Sequence, residues 1–174
     1  GETTQPRPCA QGLGLSAAKL PMRMGVFGGA FDPPHAAHVA LVQAAMAQLQ
    51  LDQVRVLPTG QAWHKPRALS DAVDRLAMTR LAFAQVPQVV VDERELQRQG
   101  PSYTVDSLRE LAVQFPKVQL YLLIGDDQRR SLPSWRQIEE IARLAIICAA
   151  GRDGAVQAWR DSSAETSATA PQPF

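Results

Sequence analysis

Two histidines three residues apart, His35 and His38, follow a pair of glycines, Gly28 and Gly29, in the stretch GGAFDPPHAAH. Glycines placed where a strand turns into a helix let backbone N–H groups approach a phosphate. The N-terminus of the helix adds partial positive charge to the same place. The spacing of three sets both imidazoles on one face of the first helical turn. There they can donate hydrogen bonds to phosphate oxygens and, if protonated, offset charge developing on them. A glycine pair alone would equally describe a tight turn, and the histidines alone could be incidental residues at a helix end. A zinc site made only of histidines would also need His64, the third and last in the chain, so no metal ligand set is expected. Asp32, just before Pro33, is expected to fix the turn by accepting hydrogen bonds from local backbone N–H groups, or to cap the helix. Phe31 reads as a packing residue.

The elements that must position these residues alternate along the chain. MRMGVFGG is a short apolar run ending in glycines, which predicts a buried first strand. Ala36 to Leu49 holds no Gly or Pro and predicts a helix, followed by a second strand at VRVLP (54–58). Residues 59–70 form a polar loop containing Gly60, Trp63 and Pro66. Ser70-Asp71 supplies a cap for a helix running to about Gln85. QVVVDE (88–93) is a third strand. Val105, Leu108, Leu111, Ala112 and Phe115 recur at helical spacing in TVDSLRELAVQF, and VQLYLLIGDD (118–127) is a fourth strand stopping at a glycine and two acids. A helix around Trp135–Ala142 and the strand LAIICAA (144–150) follow. This alternation predicts an α/β fold, a Rossmann-like parallel sheet with helices on both faces. Ligands of such sheets bind beyond the carboxyl ends of the strands. Gly28-Gly29, Pro58-Thr59 and Gly125 to Asp127 all fall there.

The sequence of 174 residues suits one domain, and 45% of it is hydrophobic. We expect that domain over residues 21–150, with 1–20 a flexible leader and 151–174 a polar, poorly ordered tail. The 18 basic and 17 acidic side chains nearly cancel, so bulk charge gives no reason to expect a nucleic-acid or membrane partner. Cys9 and Cys148 lie far apart and read as free thiols, Cys148 within an apolar run. No apolar run approaches the roughly 18 residues of a membrane helix, and the N-terminus lacks a signal pattern, so a cytoplasmic protein is expected.

GGAFDPPHAAH closely resembles the GGxFDPxHxxH signature of bacterial nicotinate-mononucleotide adenylyltransferases, within the wider HxGH nucleotidyltransferase superfamily. PTGQAWHKP (58–66), DERELQRQGPSYTVDSL (92–108) and LIGDDQRRSLPSW (123–135) resemble that family too, in its order and at similar spacing. The resemblance spans about residues 22–150. It implies transfer of AMP from ATP to nicotinate mononucleotide, giving deamido-NAD and pyrophosphate, with Mg²⁺ held mainly by the ATP phosphates. It implies that Gly28, Gly29 and Phe31 line the ATP site, that His35 and His38 contact the triphosphate as the catalytic pair, and that Gly125 and Asp127 sit near the ribose. Thr59, His64 and Lys65 would lie by the acceptor nucleotide. Tyr103, Thr104 and Trp135 would frame the pyridine ring, with Trp135 stacked on it. Read without the resemblance, Trp135 is a core residue, Thr104 a helix cap, and Arg94 and Arg98 solvated charges.

The C-terminal segment departs from the family. Its members continue with a further strand and an Ile-Ser-Ser/Ala-Thr-x-x-Arg segment on the ATP phosphates. Thr166-Ser167-Ala168-Thr169 echoes that segment weakly, and Pro171-Gln172-Pro173-Phe174 follows where its arginine and helix are expected. The ending is therefore expected to be atypical or truncated. Two readings stand beside the first: another HxGH-type nucleotidyltransferase, using pantetheine phosphate or a CTP-dependent acceptor, and a nucleotide-binding protein whose shortened C-terminus impairs catalysis.

Overall fold

The computed structural model describes residues 22–60, 70–101 and 103–159. Six strands form one sheet: β1 (Arg23–Gly29), β2 (Gln53–Pro58), β3 (Val89–Val91), β4 (Gln119–Gly125), β5 (Ala145–Ala150) and β6 (Val156–Ala158), in the order β3-β2-β1-β4-β5-β6. All pairings are parallel except β5 with β6. The helices are α1 (Ala36–Leu49), α2 (Ala72–Ala82), α3 (Arg94–Gln97), α4 (Thr104–Gln114), α5 (Asp126–Ser131) and α6 (Ile138–Leu144), with a 3-10 turn at Leu132–Ser134.

The central strands are apolar on both sides because both faces are covered. Along β4, Leu120, Leu122 and Ile124 join one core with Leu108 and Leu111 of α4 and Ile141 of α6. Tyr121 and Leu123, pointing the other way, join a second core with Val42, Ala45 and Leu49 of α1. The second core requires Gly25 in the middle of β1. A Cβ there would lie 2.8 Å from Leu51 Cδ1 and 3.1 Å from Val54 Cγ2, so any side chain would push the α1–β2 connection off the sheet. The expected α/β architecture is therefore present. Among the described residues no helix is long and apolar enough to cross a membrane.

Several elements differ from expectation, among them the short helices α3 and α5, which periodicity does not predict. The second helix stops at Ala82 rather than Gln85 because Phe83 turns into the core. The helix expected around Trp135–Ala142 starts at Ile138, after Gln137 takes a left-handed conformation (φ 56°), which leaves Trp135 in the turn before it. The largest difference lies in the expected tail, where Val156–Ala158 forms β6, antiparallel to β5. Val156 is buried, and the Gln48 side chain bridges the β5–β6 turn to α1. Its Nε2–H donates to Gly154 O (2.7 Å), while its Oε1 accepts from Val156 N–H (2.9 Å). Residues 151–155, the first of the expected tail, thus form a turn. The expected leader and the end of the expected tail fall on 1–21 and 160–174, outside the described residues.

Cys148, on β5, is fully buried, and burial pushes its thiol up to about 12, so it is an inert core residue.

Candidate functional site

A cavity of about 840 Å³ opens beyond the carboxyl ends of β1, β2, β4 and β5. Its lining brings together the sequence-predicted Gly28, Gly29, Phe31, His35, His38, Thr59, Tyr103, Thr104, Gly125, Asp127 and Trp135. His64 and Lys65 lie outside the described residues.

One end is built from the stretch 28–38. β1 stops at Gly29, whose carbonyl accepts from Thr59 N–H (2.8 Å). A Cβ on Gly29 would press the Phe31 ring at 3.2 Å. Phe31 itself turns left-handed (φ 49°) and is buried, edge-on to Phe27, Phe83 and His38. It therefore both packs and lines the cavity floor. His35 holds the N-cap position of α1, and its backbone N–H donates to His38 Nδ1 (3.0 Å). The two rings stack with centroids 3.9 Å apart. Burial, and secondarily the neighbouring His35, lowers the His38 pKa to about 4. His38 is thus neutral near pH 7. With Nδ1 accepting a hydrogen bond, its proton sits on Nε2. Of the two modes left open by the spacing, His38 has hydrogen-bond donation rather than charge.

Asp32 reaches beyond its own turn. The Asp32–Pro33 peptide is cis, and the carboxylate accepts from Ser70 N–H at 2.9 Å, across 38 residues. The same junction holds Arg75, a buried residue of α2 that the sequence did not mark. Its guanidinium donates to the carbonyls of Ala30 (3.0 Å), Thr59 (2.8 Å) and Ser70 (2.9 Å). A mid-helix arginine at that spacing looks like any solvated one, so no sequence signal was there to find.

The other end of the cavity is lined by Thr59, Glu95, Tyr103, Thr104, Ser107 and Trp135. Trp135 is half-buried and packs on the α4 side of the core, with its Nε1–H donating to Ser131 Oγ (3.2 Å). Both the packing reading and the cavity reading describe it. Thr104 is not the cap of α4, because Tyr103 holds that position with no side-chain cap bond. The Arg136 guanidinium stands 4.7 Å over the Tyr103 ring.

Arg94 and Arg98 are not solvated charges. Arg94 pairs with Asp92 (2.9 Å), while Arg98 pairs with Glu110 (3.0 Å) and donates to Ser107 Oγ (3.3 Å). Burial would raise the Asp92 carboxyl, but hydrogen bonds from Arg94 and Arg55 outweigh it and hold Asp92 below its usual range. Beside them sits Glu95, buried, accepting from Ser107 Oγ–H (2.6 Å) and from the Thr59 hydroxyl. Burial pushes its carboxyl up to about 7 in spite of Ser107, Arg98 and Thr59. In the sequence Glu95 is one acid in a charged run, with nothing to mark it as inward-facing.

Between the two ends, Gly125 N–H donates to Gln128 Oε1 (3.1 Å), and Asp127 sits in the first turn of α5. Gly151, Arg152 and Gly154 of the β5–β6 turn also line the cavity, within the expected tail.

The sequence profile of the cytidylyltransferase-like family matches residues 26–169. A protein of Albidiferax ferrireducens named "Probable nicotinate-nucleotide adenylyltransferase" is 63% identical over 130 residues, covering 75% of this chain and 66% of that protein. One of the same name from Methylibium petroleiphilum is 41% identical over 132 residues, covering 76% and 62%. The chain thus spans less than two thirds of the length of these curated relatives. In fold it is similar to Plasmodium falciparum nicotinic acid mononucleotide adenylyltransferase complexed with NaAD. That likeness has a TM-score of 0.67 at 18% identity, over 83% of this chain and 70% of that one. The chain belongs to the cytidylyltransferase-like family.

Proposed function

We propose that this protein is an adenylyltransferase that moves AMP from ATP to nicotinate mononucleotide, releasing pyrophosphate and forming deamido-NAD. One observation carries the reading. A single cavity has a glycine turn and a histidine pair at one end, and a half-buried tryptophan, a tyrosine and hydroxyl side chains at the other. The first end suits a triphosphate, and the second a flat, electron-poor ring. Relatives bearing the nicotinate-nucleotide adenylyltransferase name support the choice of acceptor. The substrates in turn set a cytoplasmic location.

In this mechanism an oxygen of the mononucleotide phosphate attacks the α-phosphorus of ATP in line. The bond to the bridging oxygen breaks, and pyrophosphate leaves with that electron pair. The attacking oxygen is already anionic, so no general base is required and no covalent enzyme intermediate forms. Catalysis comes from positioning and from donors aimed at the developing charge. His35 holds the α-phosphate. His38, through Nε2–H, and the backbone N–H groups of the glycine turn hold neighbouring oxygens. Gly125 and Asp127 border the ribose. Thr59, Tyr103, Thr104 and Trp135 receive the acceptor, and His64 and Lys65 join them at its phosphate.

Among the described residues no group of three or more His, Cys, Asp or Glu side chains could hold a metal ion. Of the two acids at the start of α5, Asp126 is paired with Arg129 (2.9 Å). Such a sparse donor set fits a Mg²⁺ ion carried in by the triphosphate, with phosphate and water oxygens as its main ligands. When bound, it neutralises phosphate charge.

The test is a product assay with ATP and nicotinate mononucleotide, read by pyrophosphate release and the mass of the dinucleotide. Deamido-NAD is expected. A product only with pantetheine phosphate or with CTP would replace this reading with another transferase of the superfamily. ATP binding without pyrophosphate release would replace it with a non-catalytic nucleotide-binding protein.

A further inference from the structure

Among the described residues, Glu95 is an acid that lines the cavity with Thr59, Tyr103 and Ser107, and it is set into the wall rather than held in solvent. Among its partners are two hydroxyls, Ser107 Oγ at 2.6 Å and the Thr59 side chain. A hydroxyl has one proton to give, so its direction depends on its neighbour. Beside a carboxylate, the Thr59 proton points at Glu95 and only oxygen lone pairs remain for the cavity. Beside a carboxylic acid, Glu95 can donate to the Thr59 oxygen, and the Thr59 proton is released toward the cavity. An anionic acceptor requires the second arrangement and is repelled by the first.

We infer that Glu95 is a positioning residue for the acceptor: in its neutral form it turns the Thr59 hydroxyl into a donor facing the acceptor's anionic groups. The inference rests on the proposed acceptor and goes beyond it to how that acceptor's charge is read. The surrounding charges permit both forms of Glu95. Just after its own helix α3, Arg98 favours the carboxylate, but it also pairs with Glu110 of α4. Asp92, at the end of β3, opposes the carboxylate and is itself paired with Arg94 and with Arg55 of β2. From α4 come Ser107 and Tyr103, and from α2 Arg75, which reaches Thr59 only at its carbonyl. Burial prevails over these partners and leaves Glu95 titrating at about 7.

The experiment is calorimetric titration of the full chain with nicotinate mononucleotide near pH 6 and near pH 8.5, for wild type, Glu95→Gln and Thr59→Val, with ATP titrated in the same buffers. If only the neutral form binds, wild-type Kd for the acceptor rises up to about 30-fold over that range, in proportion to the vanishing neutral fraction. Glu95→Gln, whose amide always donates, should lose most of that rise and bind more tightly than wild type near pH 8.5. Thr59→Val should lose it by binding weakly throughout. ATP affinity should follow the same pH course in all three. The unmodified chain gives a second readout, since acceptor binding near pH 8 should take up close to one proton, seen as a buffer-dependent heat. A wild-type pH slope in Glu95→Gln or in Thr59→Val, or no proton uptake by the wild type, would overturn the Glu95 inference alone. No binding of nicotinate mononucleotide at either pH, with ATP binding intact, would overturn the acceptor reading and the inference with it.

Discussion

The two ends of the cavity are built by different means. The histidine end comes from one continuous segment. A strand stops at Gly29, a left-handed Phe31 turns the chain, and His35 hands its backbone N–H to His38 three residues on. The acceptor end is assembled from β2, α3, α4 and the turn before α6, and is held by side chains that meet across 12 residues or more: Glu95 with Ser107, Arg98 with Glu110. A local segment places its groups as soon as its helix forms. A long-range network places them only when the whole fold has closed. Substitutions at the first end should therefore cost activity with little stability, and those at the join between the ends should cost both.

That join is Arg75, with Ala30 O on the histidine side and Thr59 O on the acceptor side. Arg75→Met keeps the stem and leaves the carbonyls of Ala30, Thr59 and Ser70 without their shared donor. It should lower stability by about 3–5 kcal/mol, read from denaturant midpoints. A loss under about 1 kcal/mol would mean that the two ends do not depend on a shared clamp. His35→Ala sharpens the contrast from the other side. Turnover should fall at least about a hundredfold, while the unfolding temperature barely moves, since His35 is exposed and makes its capping contact through backbone. Near-wild-type turnover would remove His35 from the chemistry. Trp135→Ala is the smallest of the three. The KM for nicotinate mononucleotide should rise about tenfold, a stacking-sized effect of about 1.4 kcal/mol, with the KM for ATP unchanged. A variant that unfolds would make Trp135 a core residue and no more.

The same contrast decides what could be read from the residues. β1, β2, β4 and β5 are apolar runs ended by Gly or Pro, and α1 is a run free of both, so their places follow from local chemistry. The histidine end follows for the same reason. β6 did not follow, because Val156–Ala158 is three residues long and is defined by its partner Cys148–Ala150 and by Gln48, more than 100 residues away. Asp32 was expected to bond its neighbours, and its carboxylate accepts from Ser70, 38 residues on, a partner no local reading supplies. Arg75, Arg98 and Glu95 are charged residues that the fold turns inward. Periodicity tells which apolar side chains face the core, but it does not tell which polar ones are recruited to satisfy buried carbonyls and hydroxyls.

One face of α1 carries Val42, Ala45 and Leu49 into the core, and another lines the cavity with Ala37, Leu41 and Ala44. The helix begins at His35 and is gripped near its far end, at Gln48, by the turn bearing Gly151 and Arg152. Fourteen residues of helix make a rod about 20 Å long, anchored at one end to the imidazole pair and at the other to the β5–β6 turn. Such a rod acts as a ruler. The gauge of the binding cleft is set by its length and by the small side chains along it. A displacement of the β5–β6 turn reaches the histidines as a tilt of the whole rod.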